Sequence, residues 1–207
     1  FHDIAEYAKS RNVEYLVHFT HTENLPSIAS NGLMTLSNLK RKEINYRFND
    51  DQRLDNLPNT CSLTVTFPNY RMFYKYRRRS DSDWAVILLD AVNVLANCEC
   101  IFNFTNAANH ELRDTPIAGR KGLEAFKRMF DKPSLRTKKC LSDDEPTDPQ
   151  AEVLCLCDIP PQFFKAIVFY NRTVLSKYQP YFVDSSAELE VDCNYYFFPL
   201  ARFLQSL

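Results

Sequence analysis

Tyr15-Leu-Val-His-Phe-Thr20 is an apolar run of strand length, and it leads directly into a helical segment. Thr22 can cap that helix, because a threonine side chain accepts a hydrogen bond from the first helical turn. The apolar residues that follow share one helical face, and Asn31-Gly32 ends the segment, since glycine is common after a helix C-cap. A strand that passes directly into a capped helix indicates a domain in which strands and helices pack together.

Further strands and a second helix are predicted on either side of the middle of the chain. Residues 62–67 alternate with the period of two that a half-buried strand requires. Residues 84–89, 152–157 and 166–170 are nearly continuous apolar runs, which is typical of strands covered on both faces. A helix is predicted over residues 119–130. Because strands predominate and the helices lie early and mid-chain, the sequence predicts an α+β fold with helices that flank a sheet.

The composition fits one compact domain over residues 1–207. Hydrophobic residues make up 45% of the chain, which is enough for one substantial core. Lys and Arg number 25 against 26 Asp and Glu, so the net charge of -1 does not by itself indicate a nucleic-acid or membrane partner. No stretch approaches the roughly 20 apolar residues of a bilayer-spanning helix, and the first residues lack a signal-peptide layout. We therefore expect a cytoplasmic, soluble protein with no membrane partner.

A long polar segment, residues 132–150, interrupts the second half of the chain. It is basic first and acidic afterwards, it contains three prolines, and core-forming residues are scarce in it. Structureless insertions of this length in compact domains are usually lids or binding loops. We predict a functional loop here.

Seven cysteines form no disulfide framework, which fits a reducing compartment. Cys155 and Cys157 would share one face of a strand, and Cys98-x-Cys100 repeats their spacing, so a zinc site with four thiolates is one interpretation. Structural zinc pairs, however, usually have two to four residues between their cysteines, and both pairs here have apolar neighbours. The sequence therefore favours packed free thiols and predicts no metal.

Two candidate site residues lie where the first predicted strand ends. His18 offers one hydrogen-bond donor and one acceptor in its neutral form, and the backbone of Thr20 can pair with an amide. Together they could hold a carboxamide. The alternative is that His18 is a packed histidine and that Thr20 only begins a turn.

Two charged candidates lie in polar surroundings further along the chain. Glu152 stands between the polar loop and an apolar strand, a position that suits an acid, a base or a charge stabiliser. The alternative is an edge glutamate that faces water. Arg53 could bind a phosphate through two parallel hydrogen bonds, or it could pair with a neighbouring aspartate.

Residues 70–79 interleave four aromatic rings with five cationic side chains. Aromatic faces stack on unpaired bases while Arg and Lys neutralise phosphates, so this stretch is a candidate surface for single-stranded nucleic acid. The alternative is an amphipathic segment whose rings lie in the core. The basic half of the 132–150 loop adds a second cationic patch. The candidate DNA-binding residues are Tyr70, Arg71, Tyr74, Lys75, Arg77, Arg136, Lys138 and Lys139.

Three motifs together resemble the DarT family of toxins that ADP-ribosylate DNA: His18-Phe-Thr-His-Thr-Glu-Asn-Leu-Pro-Ser-Ile28, Asn31-Gly-Leu33 and Pro149-Gln-Ala-Glu-Val-Leu154. The resemblance extends over most of the chain. It implies a split antiparallel sheet that forms a cleft for NAD+, with NAD+ as co-substrate and no metal. It also implies transfer of ADP-ribose to a base in single-stranded DNA, and a partner hydrolase that acts as antitoxin by removing the mark.

The resemblance assigns roles to individual residues. His18, Thr20 and Gly32 match the positions that bind NAD+, Arg53 matches an arginine near the NAD+ phosphates and the reaction centre, and Glu152 matches the catalytic glutamate. Residues 132–150 match the loop that recognises the acceptor.

Two segments look closer to the branch that modifies guanine than to the branch that modifies thymine: Phe67-Pro-Asn-Tyr-Arg-Met-Phe73 and Phe104-Thr-Asn-Ala-Ala-Asn109. Thymine-modifying relatives tend to be basic where this chain has Asp148-Pro149-Gln150. Guanine is therefore the favoured acceptor, with thymine as the alternative. An ADP-ribosyltransferase acting on protein or RNA, and a non-enzymatic module that binds single strands, are the other two hypotheses.

Overall fold

A computed structural model describes residues 1–47, 57–79, 81–107, 109, 112, 115–192 and 197–198 of the chain. Its strands are β1 (Tyr15–His21), β2 (Cys61–Val65), β3 (Trp84–Asp90), β4 (Cys100–Asn103), β5 (Glu152–Cys155), β6 (Phe164–Phe169) and β7 (Glu188–Val191). Its α-helices are α1 (His2–Ser10), α2 (Leu25–Asn31), α3 (Leu36–Arg41), α4 (Tyr70–Arg79), α5 (Ala91–Asn97), α6 (Gly122–Arg128), α7 (Pro133–Lys138) and α8 (Arg172–Tyr178). Short 3-10 turns span Thr22–Asn24, Ile117–Arg120, Pro161–Phe163 and Gln179–Phe182.

The seven strands form one sheet in the order β4-β5-β2-β1-β3-β6-β7. All neighbours are antiparallel except β6 and β7, which run parallel. The sheet is split in the middle. β1 pairs with β3 along all of Tyr15–His21, but it pairs with β2 only at Leu16 and Val17. Beyond Val17 the two halves separate, which opens a cleft. The predicted α+β fold with a split sheet is confirmed.

Strand alternation gives the sheet two apolar faces. On β3, Ala85, Ile87 and Leu89 face the larger core, which helices α1, α5, α6 and α8 cover. Val86 and Leu88 face the opposite side, where Phe73 of α4 packs. Burying one such phenylalanine contributes roughly 1.5–3 kcal/mol. Because β3 is buried on both faces, its sequence is continuously apolar, as the pattern predicts.

The structure corrects four details of the predicted elements. Thr22 does not cap the first predicted helix: it begins a 3-10 turn and its hydroxyl donates to the carbonyl oxygen of Asp83, while α2 begins at Leu25 after Asn24. The helix predicted over residues 119–130 divides into a 3-10 turn and α6, because Gly122 adopts a φ of 80° at their junction. β5 ends at Cys155 rather than Cys157. The loop at residues 132–150 is not structureless, since it contains α7.

In the described part of the chain, no helix combines the length and the apolar character that a membrane crossing needs.

Candidate functional site

A cavity of about 540 Å³ opens where β1 and β2 separate. This volume lies within the range of ordinary ligand pockets. Six of the residues that the sequence singles out line this cavity, and they come from four separate parts of the chain: His18, Thr20, Gly32, Arg71, Lys75 and Glu152. Arg53 lies outside the described residues.

Glu152 is the first residue of β5, where it pairs with Asn103 of β4. Its side chain is half-buried, and its Oε2 atom accepts a hydrogen bond of 2.9 Å from the backbone N–H of Ala107. Hydrogen bonds to the charged form stabilise a carboxylate and set its direction. The sheet and the 104–107 loop therefore hold this acidic group at the wall of the cavity.

His18 bridges the split in the sheet. Its Nδ1 atom lies 2.9 Å from the carbonyl oxygen of Ser62 in β2. A carbonyl oxygen can only accept, so Nδ1 carries the proton and donates it. In the neutral ring the other nitrogen is consequently an acceptor. This bond fixes the tautomer of a ring that lines the cavity.

Thr20 lies deeper, with 2% of its surface exposed. Its Oγ1 atom accepts a hydrogen bond of 2.9 Å from the side-chain amide of Asn24, and the Oδ1 atom of Asn24 accepts one of 2.7 Å from the N–H of Arg47. Arg47 itself lines the cavity and pairs with Glu23 at 2.8 Å. These contacts tie the end of β1 to the start of α2.

Gly32 ends α2 with a φ of 78° and a ψ of -170°, a conformation that only glycine adopts readily. The adjoining Leu33 forms a bridge with Ile159. A Cβ atom on Gly32 would lie 2.2 Å from the carbonyl oxygen of Ile159, which is far inside van der Waals contact. The cavity wall therefore requires glycine at this position.

The 70–79 segment is helix α4, and its residues divide between the core and the cavity. Arg71 and Lys75 are exposed and line the cavity, whereas Tyr70 is buried. Residues four apart lie on one helical face, which explains why both cations face the same cavity. The amphipathic interpretation therefore holds for the buried rings of Tyr70 and Phe73, while Arg71 and Lys75 face the cavity.

Arg77 and Tyr74 lie outside the cavity lining. The Arg77 guanidinium packs over the rings of Phe73, Tyr170 and Phe198 at 5.2–5.8 Å, and burial lowers its pKa. The ring of Tyr74 lies under Arg78. This packing gives Arg77 a place in the hydrophobic layer, which does not fit its predicted role as a phosphate ligand.

Arg136 is buried, contrary to the expectation of an exposed cation. Its guanidinium donates to the carbonyl oxygens of Glu145 and Ser142 and to the hydroxyl of Thr147, at 2.5–3.3 Å. Burial lowers its pKa. Lys138 and Lys139 remain exposed, but neither lines the cavity. Arg136 therefore organises the 132–150 loop from inside, and it does not fit a role in DNA contact.

Replacing Arg136 by alanine should lower the free energy of unfolding by about 3 kcal/mol, because the buried hydroxyl of Thr147 and two partly buried carbonyl oxygens lose their donor. Urea denaturation measures the change. Lys138→Ala, on the same helix and exposed, is the matched control and should shift stability by less than about 0.5 kcal/mol. Equal stability of the two variants would contradict the structural role of Arg136.

Sequence reasoning missed two features of the site. Asn69 precedes α4 and its Oδ1 atom accepts from the N–H of Met72, so its amide nitrogen is left as a donor. That nitrogen is buried without a hydrogen-bond partner among the described residues, and Asn69 lines the cavity. The backbone N–H of Ala107 is the second feature. Asn69 directly before a helical pattern is a capping signal, whereas nothing local marks Ala107.

Comparison with known proteins gives a consistent result. The family model described as "ssDNA thymidine ADP-ribosyltransferase, DarT" matches residues 17–197. No curated protein matches the sequence.

Among solved structures, DarTG of Thermosipho africanus in complex with ADP-ribose superposes with a TM-score of 0.66 and 17% identity. The match covers 90% of this chain and 52% of that one, so this chain spans about half the length of that relative. DarT of Thermus sp. 2.9 in complex with NAD+ has a TM-score of 0.60 and 18% identity, over 89% and 98% of the two chains. The same Thermus protein with ADP-ribosylated ssDNA has a TM-score of 0.60 and 17% identity, over 90% and 97%.

Proposed function

Because the chain belongs to the DarT family of single-stranded DNA ADP-ribosyltransferases, we propose that it transfers ADP-ribose from NAD+ to a base in single-stranded DNA. One observation carries the proposal. A single cavity places the carboxylate of Glu152 and the ring of His18 on its walls, with the cations of α4 at the same opening. A similar Thermus protein has been solved with NAD+ and with ADP-ribosylated ssDNA, which supports both substrates.

The nicotinamide end of NAD+ is assigned to the pocket between β1 and α2. A carboxamide has two N–H donors and one carbonyl acceptor. The acceptor nitrogen of neutral His18 suits one of those donors, and the backbone of Thr20 can complete the pairing. Gly32 lets the chain pass close to the ligand without a side chain in the way. We assign Arg53 to the phosphates on the resemblance alone.

The chemistry follows from charge development at the ribose. The bond between the nicotinamide nitrogen and the ribose carbon breaks, nicotinamide leaves as a neutral molecule, and positive charge builds on the sugar. A fixed carboxylate at that point stabilises the charge, and the backbone N–H of Ala107 keeps Glu152 in position. A base nitrogen then bonds to the same carbon and loses a proton, which Glu152 can accept. The nicotinamide ring carries a positive charge in NAD+ and becomes neutral as it leaves, so it needs no further activation and we propose no metal for this reaction.

The DNA strand is assigned to the mouth of the cavity that Arg71 and Lys75 border. Cations at this point neutralise phosphates while the neighbouring ring of Tyr76, which also lines the cavity, can stack on a base. Lys138 and Lys139 form a second, more distant cationic patch. A base inside a duplex would have to be flipped out before it entered the cavity, which favours a single-stranded acceptor.

Guanine is the acceptor base that we propose. Its support is the likeness of residues 67–73 and 104–109 to the guanine-modifying branch, and both segments line the cavity through Asn69, Arg71, Asn106 and Ala107. The family description names thymidine, which is the alternative. A hydrolase that removes the mark is the proposed antitoxin partner.

Labelled NAD+ and a set of single-stranded oligonucleotides, each lacking one of the four bases, test the reaction and the base together. We expect label on every oligonucleotide except the guanine-free one. Loss of label only in the thymine-free oligonucleotide would reassign the base. RNA of the same sequence and a protein mixture serve as further acceptors, and label on either in preference to DNA would overturn the substrate. Binding of DNA with no label transfer would indicate a non-enzymatic module instead.

A further inference from the structure

Four cysteine thiols meet at one end of the ladder between β4 and β5. Cys100 and Cys155 are directly opposite each other in this ladder, and their sulfur atoms are 3.4 Å apart. Cys98 precedes β4, Cys157 follows β5, and their sulfur atoms are 2.7 Å apart. The sulfurs of Cys98, Cys155 and Cys157 all lie within 4.8 Å of one another.

Strand pairing explains how two Cys-x-Cys pairs can converge. Residues two apart point to the same side of a strand, and opposite residues on neighbouring strands share a face. The β4 and β5 ladder sets Cys100 opposite Cys155. Just beyond the strand ends, the N–H of Leu156 donates to the carbonyl oxygen of Glu99, and this continued pairing brings Cys98 against Cys157. The usual spacing of two to four residues within zinc loops does not apply, because the sheet, and not a loop, supplies the convergence.

The surroundings suit a thiophilic cation. Cys98, Cys100 and Cys155 are buried, whereas Cys157 is partly exposed and offers a route for entry. The adjacent carboxylate of Asp158 is engaged elsewhere, since it accepts hydrogen bonds from the N–H of Thr35 and the amide of Asn38. Tetrahedral zinc with sulfur bonds of about 2.3 Å separates its ligands by roughly 3.8 Å. The sulfur pairs at 3.4 and 2.7 Å are closer than that value, and the sulfurs of Cys98, Cys155 and Cys157 all lie within 4.8 Å of one another.

We propose that Cys98, Cys100, Cys155 and Cys157 form a structural binding site for a divalent zinc-type cation. A disulfide would use two of the four thiols, whereas a tetrahedral cation uses them all. Sequence spacing favoured unligated thiols, whereas the geometry of the sheet favours a shared cation.

A cation at these thiols would also affect the cleft that contains Glu152. The proposal of the cation site does not rest on the proposed function. Cys100 and Cys155 close one end of the ladder, and Asn103 and Glu152 close the other. Both strands are only four residues long. A cation that clamps the cysteine end would therefore hold the register of the strand that begins at Glu152.

Metal analysis of the purified chain, expressed in zinc-containing medium, tests the site. We expect about one zinc per chain in the wild-type protein. The double variant Cys98→Ser/Cys157→Ser should lose it, and Cys140→Ser should keep it, because Cys140 is exposed and outside the cluster. Chelator should lower the Tm of the wild-type protein and leave that of the double variant unchanged.

A spectroscopic readout keeps the test independent of whether the double variant folds. Wild-type protein stripped of zinc and given Co²⁺ should show the sulfur-to-metal charge-transfer and visible bands of a tetrahedral thiolate site. Absence of these bands together with absence of zinc would overturn the proposal. A Cys98–Cys157 disulfide, found by mass spectrometry in protein purified without oxygen, would also overturn it. The same holds if chelator removes the zinc without changing the Tm.

Discussion

Glu152→Gln should reduce the kcat/KM of ADP-ribose transfer by about 10³-fold or more while the chain stays folded. Glutamine has nearly the same shape as glutamate and its oxygen can still accept the N–H of Ala107, but it carries no negative charge. The substitution therefore isolates the charge that stabilises the developing cation on the ribose. It also removes the group that accepts the proton of the attacking base.

The measurement is the initial rate of label transfer from NAD+ to a single-stranded oligonucleotide, with circular dichroism and Tm as the check on folding. Glu188→Gln is the matched control, because Glu188 is an exposed residue of β7 at the far edge of the sheet and lies outside the cavity lining. We expect the control to retain full activity. A Glu152→Gln variant with wild-type kcat/KM would refute the mechanism.

Gly32→Ala should lower the free energy of unfolding by about 3 kcal/mol, from two separate effects. The first is backbone strain, since a side chain at a φ of 78° with extended ψ costs on the order of 1–3 kcal/mol. The second is a collision at 2.2 Å with the carbonyl oxygen of Ile159, which cannot move without disturbing the Leu33 bridge. Forced overpacking adds about 1–3 kcal/mol.

The other two glycines separate these effects, and urea denaturation of all three variants measures them. Gly122 has a φ of 80° but open space around a new Cβ, so Gly122→Ala should cost about 1 kcal/mol from strain alone. Gly119→Ala would meet its nearest neighbour at 3.7 Å, an ordinary contact, and should change stability by less than about 0.5 kcal/mol. If Gly32→Ala were as stable as Gly122→Ala, the backbone at Ile159 would have to move aside at little cost, and the predicted collision would be refuted.

Local patterns were enough for five of the seven strands that the structure describes, but they left β4, β7 and most of the helices unpredicted. The alternation of residues 62–67 and the apolar runs near residues 87, 154 and 168 predicted strands that the structure contains. The helix that ends at Gly32 was predicted from its apolar face and from the Asn31-Gly32 stop signal, whereas the predicted Thr22 cap was wrong, since the helix begins at Leu25 after Asn24. Such signals succeed because burial periodicity and turn conformation act between residues that are neighbours along the chain.

Side-chain roles on the cationic segments were harder to predict. Arg136 and Arg77 were assigned to a DNA surface by charge, yet one binds carbonyl oxygens inside its loop and the other packs on aromatic rings. A guanidinium can hydrogen-bond to carbonyl groups as well as to phosphates, and its flat face packs on rings. Composition cannot tell these environments apart.

By itself, the sequence determined an α+β chain with Glu152 at the entrance of a buried strand and His18 near the end of another, because these placements depend on short-range patterns. Only the tertiary structure decided that His18 donates to Ser62 across the split sheet and that the N–H of Ala107 holds Glu152. It also decided that the thiols of Cys98, Cys155 and Cys157 converge, with the thiol of Cys100 against that of Cys155. Those contacts join residues far apart in the chain. Their geometry follows from the pairing and register of β1, β2, β4 and β5, and register is a property of strands already assembled into a sheet.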